Sequence, residues 1–276
     1  MVVNGSKYEK IMQALWPQFF DERSFMLGSR SWLCGLALCC GVMILGGCAQ
    51  LGTADNPAPL VLTKPVGGSL LFSPKDKARW ESVKLPGKLL TEFKLDQQGG
   101  QTALKAHAQS SASMLRKRLN VPPEQLGRLQ FHWQIENLMA QADMGERDSE
   151  DSPVRLILAF EGDRSQFSAK NTMLSDLTQA LTGEPLPYAT LMYVWCNHRP
   201  VGSVIVNPRT DRVRKLVVES GAHHVKQWRH YQRDVRADFE KAFGEAPGAL
   251  VGMAIMTDSD NTRGNVRAWY GDIRLD

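Results

Sequence analysis

The sequence predicts a mainly β protein, a two-sheet sandwich carrying one amphipathic helix over residues 226–243. Two observations support this class. About ten short apolar or alternating runs follow one another between turn residues. Only one long stretch instead spaces its apolar residues three and four apart.

The first strand signal is Leu89, Thr91, Phe93 and Leu95, alternating with polar neighbours, and Gln97-Gln98-Gly99-Gly100 turns the chain into residues 103–108. Residues 112–119 read as a short helix halted by Pro122-Pro123. Leu129, Phe131, Trp133 and Ile135 take every second position, so Gln130, His132, Gln134 and Glu136 face the other way. Residues 140–152 are polar and read as a mobile loop. A more continuous apolar strand, 155–160, leaves through Glu161-Gly162-Asp163. Residues 191–196 and 201–206 read as a hairpin closed by Asn197-His198-Arg199-Pro200, and 213–219, 249–257 and 266–275 complete the set. In the helical stretch Trp228, Tyr231, Val235, Phe239 and Phe243 share one face, and Gly244 and Pro247 stop it.

The front of the chain is an address. Arg30, an apolar run from Trp32 and the tetrapeptide Leu45-Gly46-Gly47-Cys48 have the layout of a secretory signal. The cysteine directly after the small pair makes it resemble a bacterial lipoprotein signal, which implies acylation of Cys48. The run is short for a transmembrane span, which needs roughly 20 apolar residues. Residues 26–47 therefore read as the signal and 48–68, rich in Pro and Gly, as a lipidated tether. Residues 69–276 are the folded domain. Residues 1–25 are either a misassigned start, with Met26 the initiator, or a genuine extension. Ala49 after the cysteine points to the periplasmic face of the outer membrane.

Composition narrows the partners. Removing the four basic and three acidic residues before Cys48 leaves an excess of three positive charges, too mild and too dispersed for nucleic acid. Cys196 is the single cysteine after Cys48, so the mature chain forms no internal disulfide.

Several C-terminal segments carry a family resemblance. Tyr193-Val194-Trp195, Val217 to Gly221, Gln227-Trp228 with Arg233-Asp234-Val235, Phe243-Gly244-Glu245, Thr257 to Thr262 and Tyr270-Gly271-Asp272-Ile273 occur in this order. The series resembles a family of bacterial envelope proteins known only as a domain of unknown function, over about residues 69–276. Ser111-Ala112-Ser113 and Phe131-His132-Trp133 fit it too. The resemblance implies no activity. A looser likeness to jelly-roll carbohydrate-binding modules implies a jelly-roll-like sandwich and stays at the level of fold.

Two constellations could carry chemistry. In the acidic turn, Asp258, Asp260 and the Thr262 hydroxyl could converge on calcium, with Asp272 added from the next strand, because hard cations take several oxygens at once. The bland alternative is a turn held by its own Asp and Asn side chains. The second constellation is a saccharide surface, in which planar polar groups sit beside an aromatic platform. Its candidates are His132, Gln134, Trp228, Arg233, Trp269 and Tyr270, with Trp195 a further platform. The sequence thus points to non-catalytic saccharide binding by a lipid-anchored envelope protein. The alternatives are a glycan hydrolase or lyase, drawing on Glu136, Asp163, Glu219, Asp258, Asp272, His132, Arg155 or Tyr193, and an assembly protein that binds another envelope protein.

Overall fold

The structure, a computed structural model, describes residues 60–276. The expected signal segment, Cys48 and the first part of the expected tether lie outside the described residues. In chain order the strands are β1 (Val61–Thr63), β2 (Leu70–Phe72), β3 (Glu81–Lys84), β4 (Glu92–Gln98), β5 (Gln101–Gln109), β6 (Ala112–Val121) and β7 (Arg128–Ile135). There follow β8 (Ser152–Phe160), α1 (Ala169–Thr182), β9 (Ala189–Cys196), β10 (Val204–Val206), β11 (Val213–Ser220), β12 (Arg229–Asp234), α2 (Val235–Phe243), β13 (Leu250–Asp258) and β14 (Asn265–Leu275). The first sheet runs β1-β6-β13-β8-β9-β11-β10, with β3 also beside β6. The second runs β12-β7-β14-β5-β4, with β2 beside β14. This is the mainly β, jelly-roll-like sandwich that the sequence predicts.

Alternation builds the core. Leu156, Leu158 and Phe160 of β8, Tyr193 and Trp195 of β9 and Ile255 of β13 meet Phe131, Trp133, Ile135, Tyr270 and Ile273 of the second sheet. The residues between them point outward, so each sheet keeps a second face. The β4–β5 hairpin closes through Gly99 and Gly100, both at positive φ (57° and 77°), the backbone a two-residue turn between twisted strands requires.

Four expectations need correction. Residues 112–119 are not a helix but part of β6, a strand paired on both edges. Leu115, Leu119 and Val121 face the core, and sheet pairing overrides the helix propensity of the Leu, Met, Arg and Lys that fill the run. The 226–243 helix is two elements. Residues 229–234 form β12, antiparallel to β7, and only Val235–Phe243 is helical. Asp234 is the joint, its carboxylate accepting from Ala237 N at 3.0 Å. Strands β9 and β10 are not a hairpin. Both flank β11, β9 in parallel and β10 antiparallel, because the connection after Cys196 crosses over before it pairs. Finally, the tether ends earlier than residue 68, since Val61–Thr63 pairs in parallel with Arg118–Asn120 of β6.

The segment 140–152 is also fixed. Met144 packs on Val194, Cys196, Ile205 and Val217, covering the outer face of the first sheet. Asn197 Nδ2 donates to the carbonyls of Met139 (2.7 Å) and Ala142 (2.8 Å), and Asp143 pairs with Arg199. Asp143, Glu150 and Asp151, among the polar residues that suggest mobility, are hydrogen-bonded or ion-paired.

Candidate functional site

Beneath that segment lies the acidic turn. Arg155 of β8 and Asp258 of β13 point to the outer face of the first sheet, and both are buried. Asp258 accepts from Arg155 Nε (3.0 Å), Arg155 Nη2 (2.7 Å) and Ser152 N (3.1 Å). Burial pushes its carboxyl up to about 7, against the pull of Arg155. Asp151, absent from the sequence reading, joins the cluster. Asp151, Asp258 and Asp260 each offer an oxygen within 4.8 Å of the others. Every one of these carboxylates has a partner. Asp260 pairs with Lys88, and Asp151 accepts from Asn261 N (3.2 Å), Thr262 N (2.7 Å) and Thr262 Oγ1 (2.6 Å). Lys215, wholly buried nearby, pairs with Glu150 at 2.7 Å, and burial lowers its pKa to about 8. Two expected calcium ligands do not fit. Thr262 spends its hydroxyl on Asp151, and Asp272 lies exposed on the other sheet because β14 does not pair with β13. Lys88 and Arg155 pair with two of the three carboxylates, so calcium binding would require displacing one of them.

The second constellation is assembled differently. On the second sheet His132 of β7 sits directly opposite His230 of β12. Their rings stack at 4.8 Å, 18° from parallel, and the Trp228 ring lies 5.3 Å from His132. Trp228 is half-buried and held by its Nε1, which donates to Gln98 O at 3.1 Å across the face. Gln130 and Gln232, paired in register, expose their side chains beside the histidines, while Gln134 is buried further along the same face. The imidazole of His132 lies over Gly271, where a Cβ would come within 1.9 Å of Nε2. Burial depresses its pKa, the neighbouring His230 adds to this, and Asp272 opposes both.

The remaining candidates divide. Trp269 reaches the same outer face but is 6% exposed, its Nε1 donating to Asp96 at 3.0 Å with Lys105 Nζ 5.9 Å from its ring. Tyr270 points into the core, its hydroxyl 2.8 Å from Thr257 Oγ1, as adjacent strand residues must face opposite ways. Trp195 is 0% exposed and donates to Gly221 O, so it is no platform. Arg233 is taken by Asp238 of α2, which also accepts from Tyr193 OH at 2.9 Å.

Sequence reading missed His230, which lay inside the presumed helix; Glu219, one of the carboxylates considered for a glycan hydrolase, is buried. Burial raises the pKa of Glu219, but contacts from His224, Arg229 Nε (2.9 Å), Ser220 N and Tyr231 OH (3.1 Å) outweigh it and hold the carboxyl below its ordinary range. Arg155 and Asp258, considered for acid–base roles, are sealed under residues 140–152. Tyr193 lies in the core and His132 on the opposite sheet, so these residues share no cleft.

Comparison with known proteins adds a family. A family model described as a protein of unknown function (DUF3047) matches residues 78–274. No curated protein matches the chain. Among solved structures, the chain is similar to the Endo-D glycoside hydrolase domain from Streptococcus pneumoniae at 9% identity and a TM-score of 0.29. That match covers 72% of this chain and only 22% of the other. It is also similar to a low-affinity xylan-binding module, CBM86, from Roseburia intestinalis (11% identity, TM-score 0.29, 75% and 94% covered). A third similarity is to endoglucanase 3 of family GH12 from Trichoderma harzianum (7%, TM-score 0.38, 73% and 86% covered). At these scores the likenesses add nothing to what the sheets themselves establish.

Proposed function

The chain belongs to the DUF3047 family of proteins of unknown function, and we propose that it binds a saccharide, without catalysis, on the outer face of its second sheet. One observation carries this reading: the half-buried ring of Trp228 beside the stacked His132–His230 pair, with Gln130 and Gln232 in register next to them. Sugars present an apolar face to an aromatic ring and equatorial hydroxyls to planar polar groups, and this patch supplies both. Anchoring through acylated Cys48 would hold the module at the periplasmic face of the outer membrane.

The test is a glycan array probed with the fragment 52–276. Selective binding that is lost on Trp228→Ala and weakened on His230→Ala supports the proposal. An array with no selective signal removes it and favours a protein partner. Calcium is expected to leave the melting temperature of this fragment unchanged, because Lys88 and Arg155 already pair with Asp260 and Asp258. A calcium-dependent rise in a thermal melt would refute that account.

A further inference from the structure

Strands β1 and β3 follow one another along the same edge of β6, since β13 occupies the other edge. β3 ends its pairing at Arg116 and β1 begins at Arg118, so the sheet changes partner at Lys117. A cleft of about 310 Å³ opens at this junction, lined by Arg79, Trp80, Arg116, Lys117 and Arg118, with Leu60 and Leu62 on its β1 side.

The lining is rich in donors and cations. Trp80 is 7% exposed, yet its indole Nε1 has no hydrogen-bond partner. Nε of Arg118 is likewise buried without a hydrogen bond, 3.4 Å from Glu81. Buried donors left unpaired are costly and rare in native proteins. Lys117 Nζ donates to Arg79 O at 2.7 Å and sits 5.4 Å from the Trp80 ring, leaving donor capacity over. Arg116 and Arg118 are held in place by Glu81 and Glu184, with Arg116 2.8 Å from Glu81 and 2.7 Å from Glu184. Four cations face Glu81, Glu184 and Asp76, the last acting on Lys117, so the excess is one positive charge.

We propose that this cleft binds a phosphate group, with Trp80 Nε1 and Lys117 as donors and Arg79 at the rim. The unpartnered Trp80 Nε1 is a donor, which calls for an acceptor-only ligand. The net positive lining favours an anion, and a phosphate monoester carries about −1.5 to −2 near neutral pH. This site is on the first sheet and does not depend on the saccharide face.

The experiment is calorimetric titration of the full-length chain in detergent with inorganic phosphate and, separately, with glycerol 3-phosphate. Saturable binding of both with similar affinity identifies free phosphate as the ligand. Tighter binding of glycerol 3-phosphate identifies a phosphate ester such as a lipid headgroup. Trp80→Phe, which keeps the ring and deletes the N–H, is expected to weaken binding about tenfold. Arg79→Gln, at an exposed position, is expected to weaken it less and to flatten its salt dependence. A chain that takes up neither compound overturns the site. So does unchanged binding by both variants. Should Trp80→Phe fail to fold, Arg79→Gln decides alone.

Discussion

Glycine at position 271 is a condition for the placement of His132, because any side chain there would occupy the space of the imidazole. Gly271→Ala is expected to cost about 1–3 kcal/mol by overpacking and to displace the ring, read as a lower urea midpoint and a shifted His132 resonance. His132 itself makes stability depend on pH. Its folded pKa lies below the unfolded value of about 6.5, so the unfolded chain takes up the proton first and stability falls as pH drops through that value. Urea midpoints across roughly pH 5.5–7.5, the window around that value, should slope less in His132→Gln than in the parent. The Arg155–Asp258 pair obeys a different rule. Asp258→Ala strands a fully buried guanidinium and should cost about 3–5 kcal/mol, whereas replacing both residues by apolar ones should cost much less. Equal losses in the single and double variants would show that the pair is not the source.

At the scale of elements, the join between β12 and α2 shows what a single sequence conceals. Tyr231 and Val235 are four apart, a spacing compatible with both a strand repeat of two and a helix repeat of 3.6. The helical reading therefore ran back through β12 and hid His230, the residue that completes the candidate face. Asp234 is the physical boundary, and Asp234→Ala should destabilise the domain by about 1 kcal/mol, measurable by chemical denaturation. Strand β7 was legible because its alternation is uninterrupted, and that alternation placed His132 and Gln134 on one outer face. β6 was not, since its Arg116, Lys117 and Arg118 are helix formers whose role is set by partners distant in sequence, Glu81 and Glu184. Asp151 was missed for a similar reason: it caps a turn more than a hundred residues further on.

On the scale of the whole molecule, each sheet has an outer face with its own character. The first is covered by residues 140–152 over paired charges, and the second is open around Trp228 and the two histidines. An anchored module would need only the second face free. Cys48→Ser is expected to move the protein from the membrane to the soluble fraction, and unchanged membrane fractionation would refute lipidation at that residue. The pairing of β1 with β6 has a mechanical consequence. Any tension drawn along the chain into Leu60 meets three residues of strand before it meets the core. Pulled in a force spectrometer, that strand should detach first, releasing about 10 Å of chain while the sandwich stays shut. Leu60 and Leu62 would leave the cleft with it, so a stretched tether would open one wall of the pocket and a slack one would close it.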